Sequence, residues 1–151
     1  MHAPFQQLIA ALADRTGLTT LEILPDNSCT LFFDDLPLTL QYLPENDCLL
    51  LFSSLGKLPD KGREAFCLKL LEANHFFNDT AGATLSAHAG SGLVGLHQVV
   101  PMRMLDEAQF LQLLETYMNT AERWARACTG SDARKAAPDT ENMPGAGWMQ
   151  A

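Results

Sequence analysis

The sequence predicts an α+β domain in which a twisted antiparallel sheet carries three helices, in the order α-β-β-β-α-β-β-α. Three observations lead there. Apolar residues recur at helical spacing in three separate stretches, and five short runs between them read as strands joined by turn residues. The chain has 151 residues, 47% hydrophobic and 19% charged, a one-domain length able to bury most of its unfolded surface, which excludes global disorder.

Phe5, Leu8, Ile9 and Leu12 stand at i, i+3, i+4 and i+7, one face of a helix over 4–16. Pro4 suits its first turn and Gly17 its stop. A short extended piece, 21–24, leads to the turn Pro25-Asp26-Asn27. Ser28 to Phe33 reads as a strand, closed by the tight pair Asp34-Asp35. Leu36, Leu38, Leu40 and Tyr42 alternate with Pro37, Thr39, Gln41 and Leu43, a strand with one buried face. Pro37 places the start of that strand at an edge or beside a bulge. After the turn 44–47, Cys48 to Leu55 forms a third strand, and short connections make the three an antiparallel meander.

Gly56 to Gly62 reads as a loop. From Arg63 to Phe77 the pattern turns helical, with Phe66, Leu70, Ala73 and Phe77 in one stripe. Strands over 83–88 and 93–102 flank a hairpin loop, Ala89-Gly90-Ser91-Gly92. Asp106 and Gln109 make a capping-box-like start for the last helix. Its face of Phe110, Leu114, Tyr117, Ala121, Trp124 and Cys128 runs for over five turns. From Thr129 the periodicity ends, and 129–151 reads as a flexible C-terminal tail in which Trp148 and Met149 are the one apolar cluster near the end.

Composition narrows the function. The net charge is −8, of which −7 falls in residues 1–128, and no Lys/Arg run exists, so nucleic-acid binding is not expected. The start of the chain lacks a basic n-region and a long apolar stretch, so no secretory signal is expected. The longest aliphatic or aromatic run is Leu49 to Phe52, far below the roughly 20 residues of a membrane span, so no membrane insertion is expected. Cys29, Cys48, Cys67 and Cys128 contain no CxxC pair, and free thiols of a cytosolic protein are the plain reading.

No catalytic constellation and no cofactor or metal site emerges. If His88 pairs with Leu93, His97 faces Thr84, and the two histidines lie about 13 Å apart on one face, too far for a single ion. Cys67 and His75 lie roughly 12 Å apart along a helix, beyond nucleophile–base reach. Asp34-Asp35 reads as turn chemistry rather than a carboxylate pair, and Ser91 lacks the strand-to-helix elbow of a hydrolase nucleophile. The middle helix, by contrast, is apolar on more than one side: Phe66, Leu68, Leu70, Leu71, Phe76 and Phe77. A helix facing one sheet needs only one stripe. A homodimer contact through Phe66, Leu70 and Phe77, with Leu85 from the next strand, is the expectation; the alternative is that the preceding loop folds over the surplus face.

The order of elements resembles one family. The run Leu71-Glu72-Ala73-Asn74, Phe77, Gly82, Leu85, Gly92-Leu93 and Pro101, with Gly56-Lys57-Leu58-Pro59 before it, is similar to the class I chaperones of bacterial type III secretion, the Tir-chaperone-like group. The resemblance covers about residues 4–128, so 1–128 is read as the chaperone-like domain. It implies a homodimeric, ATP-independent, non-enzymatic cytoplasmic chaperone. Its partner would be the N-terminal chaperone-binding segment of a secreted effector, held extended and secretion-competent. The export ATPase or a regulator are further partners the resemblance suggests. The expected client site is an apolar groove of Phe5, Leu8 and Leu12 beside Phe32, Leu38 and Leu40; the alternative is that all six are core. Two other readings stay open: a regulatory dimerisation module that binds another regulator, and a small enzyme using Cys or His.

Overall fold

The computed structural model describes residues 2–19 and 21–129. Helix α1 spans Ala3–Thr16. Strands β1 (Ser28–Phe33), β2 (Leu36–Leu43) and β3 (Cys48–Lys57) follow as a meander, then α2 (Arg63–Asn74), the hairpin β4 (Thr84–Ala87) and β5 (Leu93–Pro101), and α3 (Glu107–Cys128). The expected order is therefore observed. The sheet is antiparallel, with spatial order β1-β2-β3-β5-β4, so β1 and β4 are its edges.

Local chemistry explains most boundaries. Pro4 lies in the first turn of α1, and Gly17 ends the helix at φ 70°, a left-handed conformation that costs glycine little. Leu18 N–H then bonds back to Ala13 O at 3.1 Å. Asp106 and Gln109 exchange both hydrogen bonds of a capping box at the start of α3, at 2.7 and 2.9 Å.

One sheet face meets the helices. Leu38, Leu40, Leu49, Leu51, Val94 and Leu96 pack there with Phe5, Leu8 and Leu12 of α1 and with Phe110, Leu114, Tyr117, Ala121 and Trp124 of α3. The Tyr117 hydroxyl donates to Leu96 O at 2.7 Å, which satisfies the one polar atom of a fully buried ring. The other face carries Thr30, Phe32, Thr39, Leu50, Phe52, Thr84, His97 and Val99, because strand residues alternate sides. Leu50 is buried yet stands apart from the core cluster.

The short piece 21–24 stays outside the sheet, as expected, and Leu24 N–H bonds Ser28 O at 2.8 Å to close the turn into β1. The expectation for Pro37 holds: β2 is interior, but its ladder with β3 begins only at Thr39, so the start of β2 is an edge on that side and the missing N–H costs no ladder bond. Other expectations are corrected. β3 continues through Gly56 to Lys57 across a bulge at Ser54/Gly56, where a loop was expected. α2 stops at Asn74 rather than Phe77. A 3-10 turn, His75–Phe77, follows, with Phe76 and Phe77 at φ 50° and 55°. The flexible-tail expectation lies, from residue 130 on, outside the described residues.

Candidate functional site

The two sheet edges are unequal. Asn27 O accepts from Tyr42 N–H, which fixes the alternation in β1: Cys29, Leu31 and Phe33 bond toward β2. Thr30 and Phe32 therefore turn their N–H and C=O groups outward along the open edge. Ser28 O on that edge is taken by Leu24 N–H. At β4, His88 N–H bonds Leu93 O, so Leu85 and Ala87 face outward. There the Asn74 side chain occupies Leu85: its Nδ2 donates to Leu85 O at 2.9 Å, and its Oδ1 accepts from Leu85 N–H at 2.8 Å. An amide side chain thus takes the place of a neighbouring strand at that residue, and β1 has the more open edge.

A groove lies beside α1. Gln6, Ile9, Ala10, Ala13 and Asp14 form one wall, and the returning segment of Gly17, Leu18, Thr19, Leu21 and Ile23 forms the other, around about 630 Å³. It is open to solvent and its lining is mixed, with Ile9, Leu18, Leu21 and Ile23 beside Gln6, Asp14 and Thr19. The N-terminal end of α1 is pinned separately. His2 stacks on Tyr42 at 4.2 Å, and its Nε2 lies 3.8 Å from Asp47 Oδ1, which accepts from the Tyr42 hydroxyl at 3.2 Å. Burial first, and then the Asp47 carboxylate, raise the Tyr42 phenol above its ordinary range.

The residues expected to line a client groove lie elsewhere. Phe5, Leu8, Leu12, Leu38 and Leu40 are all buried in the core, the last two completely. They close the domain, because the amphipathic face of a helix over a sheet is the core face. Phe32 alone of the six is open, at 57% exposure, on the edge strand. The expected dimer residues divide as well. Leu70 and Leu85 are buried within the chain, Phe66 is half-buried against the core, and Phe77 is exposed. Exposed apolar surface on this side belongs to Leu68, Leu71 and Phe76, the last at 84% exposure. The α1 groove escaped sequence reasoning because most of its lining comes from the flank of the α1 stripe (Gln6, Ala10, Ala13, Asp14) and from the chain reversal after Gly17, which periodicity does not mark.

The titratable groups are structural in placement. Burial pushes the Cys128 thiol up to about 11, partly offset by Lys69, and raises the Cys29 thiol. Burial lowers His97. All four cysteines are free. Among the described residues, no group of three His, Cys, Asp or Glu side chains is placed to hold a metal ion, and no helix is long and apolar enough to cross a membrane.

A helix, a three-strand meander, a helix beside the β4 edge, a hairpin and a closing helix make an α+β fold whose five-stranded sheet keeps a free edge at β1. Residues 7–125 match the profile of the Tir chaperone protein (CesT) family, and the chain belongs to that family. Its fold is similar to that in the ExsC–ExsE complex, with TM-score 0.73 and 23% identity over 87% of this chain and 99% of that one. It is also similar to the HopA1–SchA chaperone–effector complex, at TM-score 0.65 and 22% identity over 88% and 94% of the two chains. A third similar structure is the Yersinia pestis type III secretion chaperone SycH bound to a fragment of YscM2, at TM-score 0.61 and 16% identity over 78% and 96%. No curated protein sequence matches the chain.

Proposed function

We propose that this chain is a cytoplasmic, ATP-independent, non-catalytic chaperone that binds the N-terminal segment of a type III secreted effector in extended form and keeps it competent for export, working as a homodimer. Family membership supports the class, and the HopA1–SchA structure is itself a chaperone–effector complex. The observation that carries the reading to particular residues is the open β1 edge, where Thr30 and Phe32 offer unpaired ladder directions and Phe32 an exposed ring. An extended peptide added there gains main-chain hydrogen bonds, and the groove along α1 can take its apolar side chains. Wrapping a long segment buries enough area to offset its ordering entropy. The core residues Phe5, Leu8, Leu12, Leu38 and Leu40 serve by holding α1 against the sheet.

The test is co-expression with candidate effectors followed by affinity capture and a secretion assay. A secreted protein should co-purify, its N-terminal segment alone should suffice, and its export should fall when the chaperone is deleted. Capture that needs only a folded C-terminal domain of the partner, with export unchanged on deletion, refutes the reading.

A further inference from the structure

Trp148 stands 20 residues past Cys128, the last residue of α3, with Met149 beside it. Both lie in a run over 142–151 that holds no Asp, Glu, Lys or Arg. A tryptophan in such a stretch is an amphipathic anchor: the ring gains by leaving water, and its N–H needs an acceptor. The groove beside α1 offers both. Ile9, Leu18, Leu21 and Ile23 supply apolar surface, Asp14 supplies a carboxylate, and Ala10, Ala13 and Gly17 leave room for a ring to enter. Its volume of about 630 Å³ is that of a small-ligand site.

We infer that Trp148 and Met149 of the chain's own C-terminal segment seat reversibly in the α1 groove and cover it while no client is bound. The covering role rests on the client site proposed above; the seat does not. Reach is the first argument. α1 and α3 share one core on the same side of the sheet, so the chain leaves α3 in the layer that holds the groove. A coil of 20 residues has an r.m.s. length of about 25 Å, against a radius of gyration of about 14 Å for a domain of this size. Charge is the second. Residues 1–128 carry −7, and Asp14 and Glu22 are exposed at the groove, so an uncharged run approaches where an acidic one is repelled. Shape is the third. The exposed Leu68, Leu71 and Phe76 stand on the outside of a helix and its following turn, which has no walls to hold a ring. The strength suits a displaceable cover. About fourteen side-chain atoms at ordinary ligand efficiency give a dissociation constant of roughly millimolar. A short tether supplies an effective concentration of the same order, so seated and free states lie near balance. A client with more contacts then displaces the segment, at an affinity lowered about twofold by the competition.

Tryptophan emission reads the seat directly, because Trp124 and Trp148 are the two tryptophans of the chain. Subtracting the spectrum of the matching Trp148→Phe protein leaves the Trp148 component. That component should lie to the blue of a synthetic peptide of residues 142–151 and be quenched by acrylamide about half as strongly, as near-balance requires. Ala10→Glu, at an exposed position in one wall, should raise the quenching to the peptide's value with the melting temperature retained, and Leu18→Ser in the other wall should do the same. Dilution should change nothing. A wild-type Trp148 quenched like the peptide overturns the inference. So does shielding that survives both groove substitutions in folded protein. Shielding abolished by Leu71→Ser instead, or lost on dilution, places the segment on α2 or on a second copy and overturns it too. These readings need no client, so they stand or fall apart from the proposed function. The co-purified effector segment should release Trp148, and a segment that binds while Trp148 stays shielded overturns the covering role.

Discussion

Replacing Asn74 by alanine removes both hydrogen bonds that hold the outer side of β4. The bonds run 2.9 Å from Nδ2 to Leu85 O and 2.8 Å from Leu85 N–H to Oδ1, in a half-buried setting. Each contributes about 0.5–1.5 kcal/mol net, and a backbone group left without a partner adds to the loss. The expected cost is therefore about 2–3 kcal/mol. With a urea m-value of about 2 kcal/mol per molar, the midpoint falls by roughly 1 M. Asn74→Asp separates the two bonds. Its carboxylate still accepts from Leu85 N–H but points a second oxygen at Leu85 O, so near neutral pH it should be no more stable than the alanine variant. Equilibrium urea unfolding followed by circular dichroism gives the midpoints, and hydrogen exchange gives the site. The Leu85 amide, although turned to the sheet edge, should be protected in the wild type and exchange faster in both variants. A midpoint shift below about 0.2 M for Asn74→Ala would refute the reasoning.

Phe5→Ser with Leu8→Ser should unfold much of the protein, at about 2–5 kcal/mol per site, because both side chains are core; retention of the wild-type melting temperature would put them outside it. Phe32→Ser should leave that temperature within about 2 °C and weaken effector capture at least tenfold, measured by titration with the co-purified segment; unchanged affinity removes β1 from the site. With a thiol reagent at pH 8, Cys48 and Cys67 should react in the folded protein and Cys29 and Cys128 only on unfolding; prompt labelling of all four contradicts their burial. The folded state holds the Cys128 proton up to about pH 11 while the unfolded chain loses it near 9, so stability should be complete below pH 9 and decline as pH rises from 9 to 11. Cys128→Ala should flatten that decline in pH-dependent urea midpoints, and an identical slope would exclude the thiol as its source.

The elements themselves were largely legible. The stripe from Phe110 to Cys128 and the Asp106–Gln109 box mark α3 by local rules alone, and the turn residues at 34–35 and 44–47 separate the strands of the meander. Surfaces were less legible, because a hydrophobic pattern reports that a residue is buried but not by what. Leu70 and Leu85 looked like surplus apolar surface and are filled by the chain's own core. The periodicity of α2 runs on to Phe77, yet the helix ends at Asn74, whose side chain bonds a strand that follows it in sequence, and the backbone turns left-handed two residues later. That bond is a tertiary decision, and its one trace in the sequence is an asparagine set among apolar residues. The sheet order was beyond the pattern, since β3 pairs β5 rather than β4.

The order β1-β2-β3-β5-β4 also sets a schedule for biosynthesis. The meander is complete in sequence by Lys57, but the second side of β3 waits for Leu93–Pro101, and the loop at Asp79 waits for Arg123 and Trp124, 44 and 45 residues later. A nascent chain of this protein therefore leaves the ribosome with Leu49 to Phe52 unpaired on one side through dozens of elongation steps, or several seconds at roughly 5–20 residues per second. For that interval the protein is itself an exposed apolar strand, and its yield in the cell should depend on translation speed between codons 57 and 124.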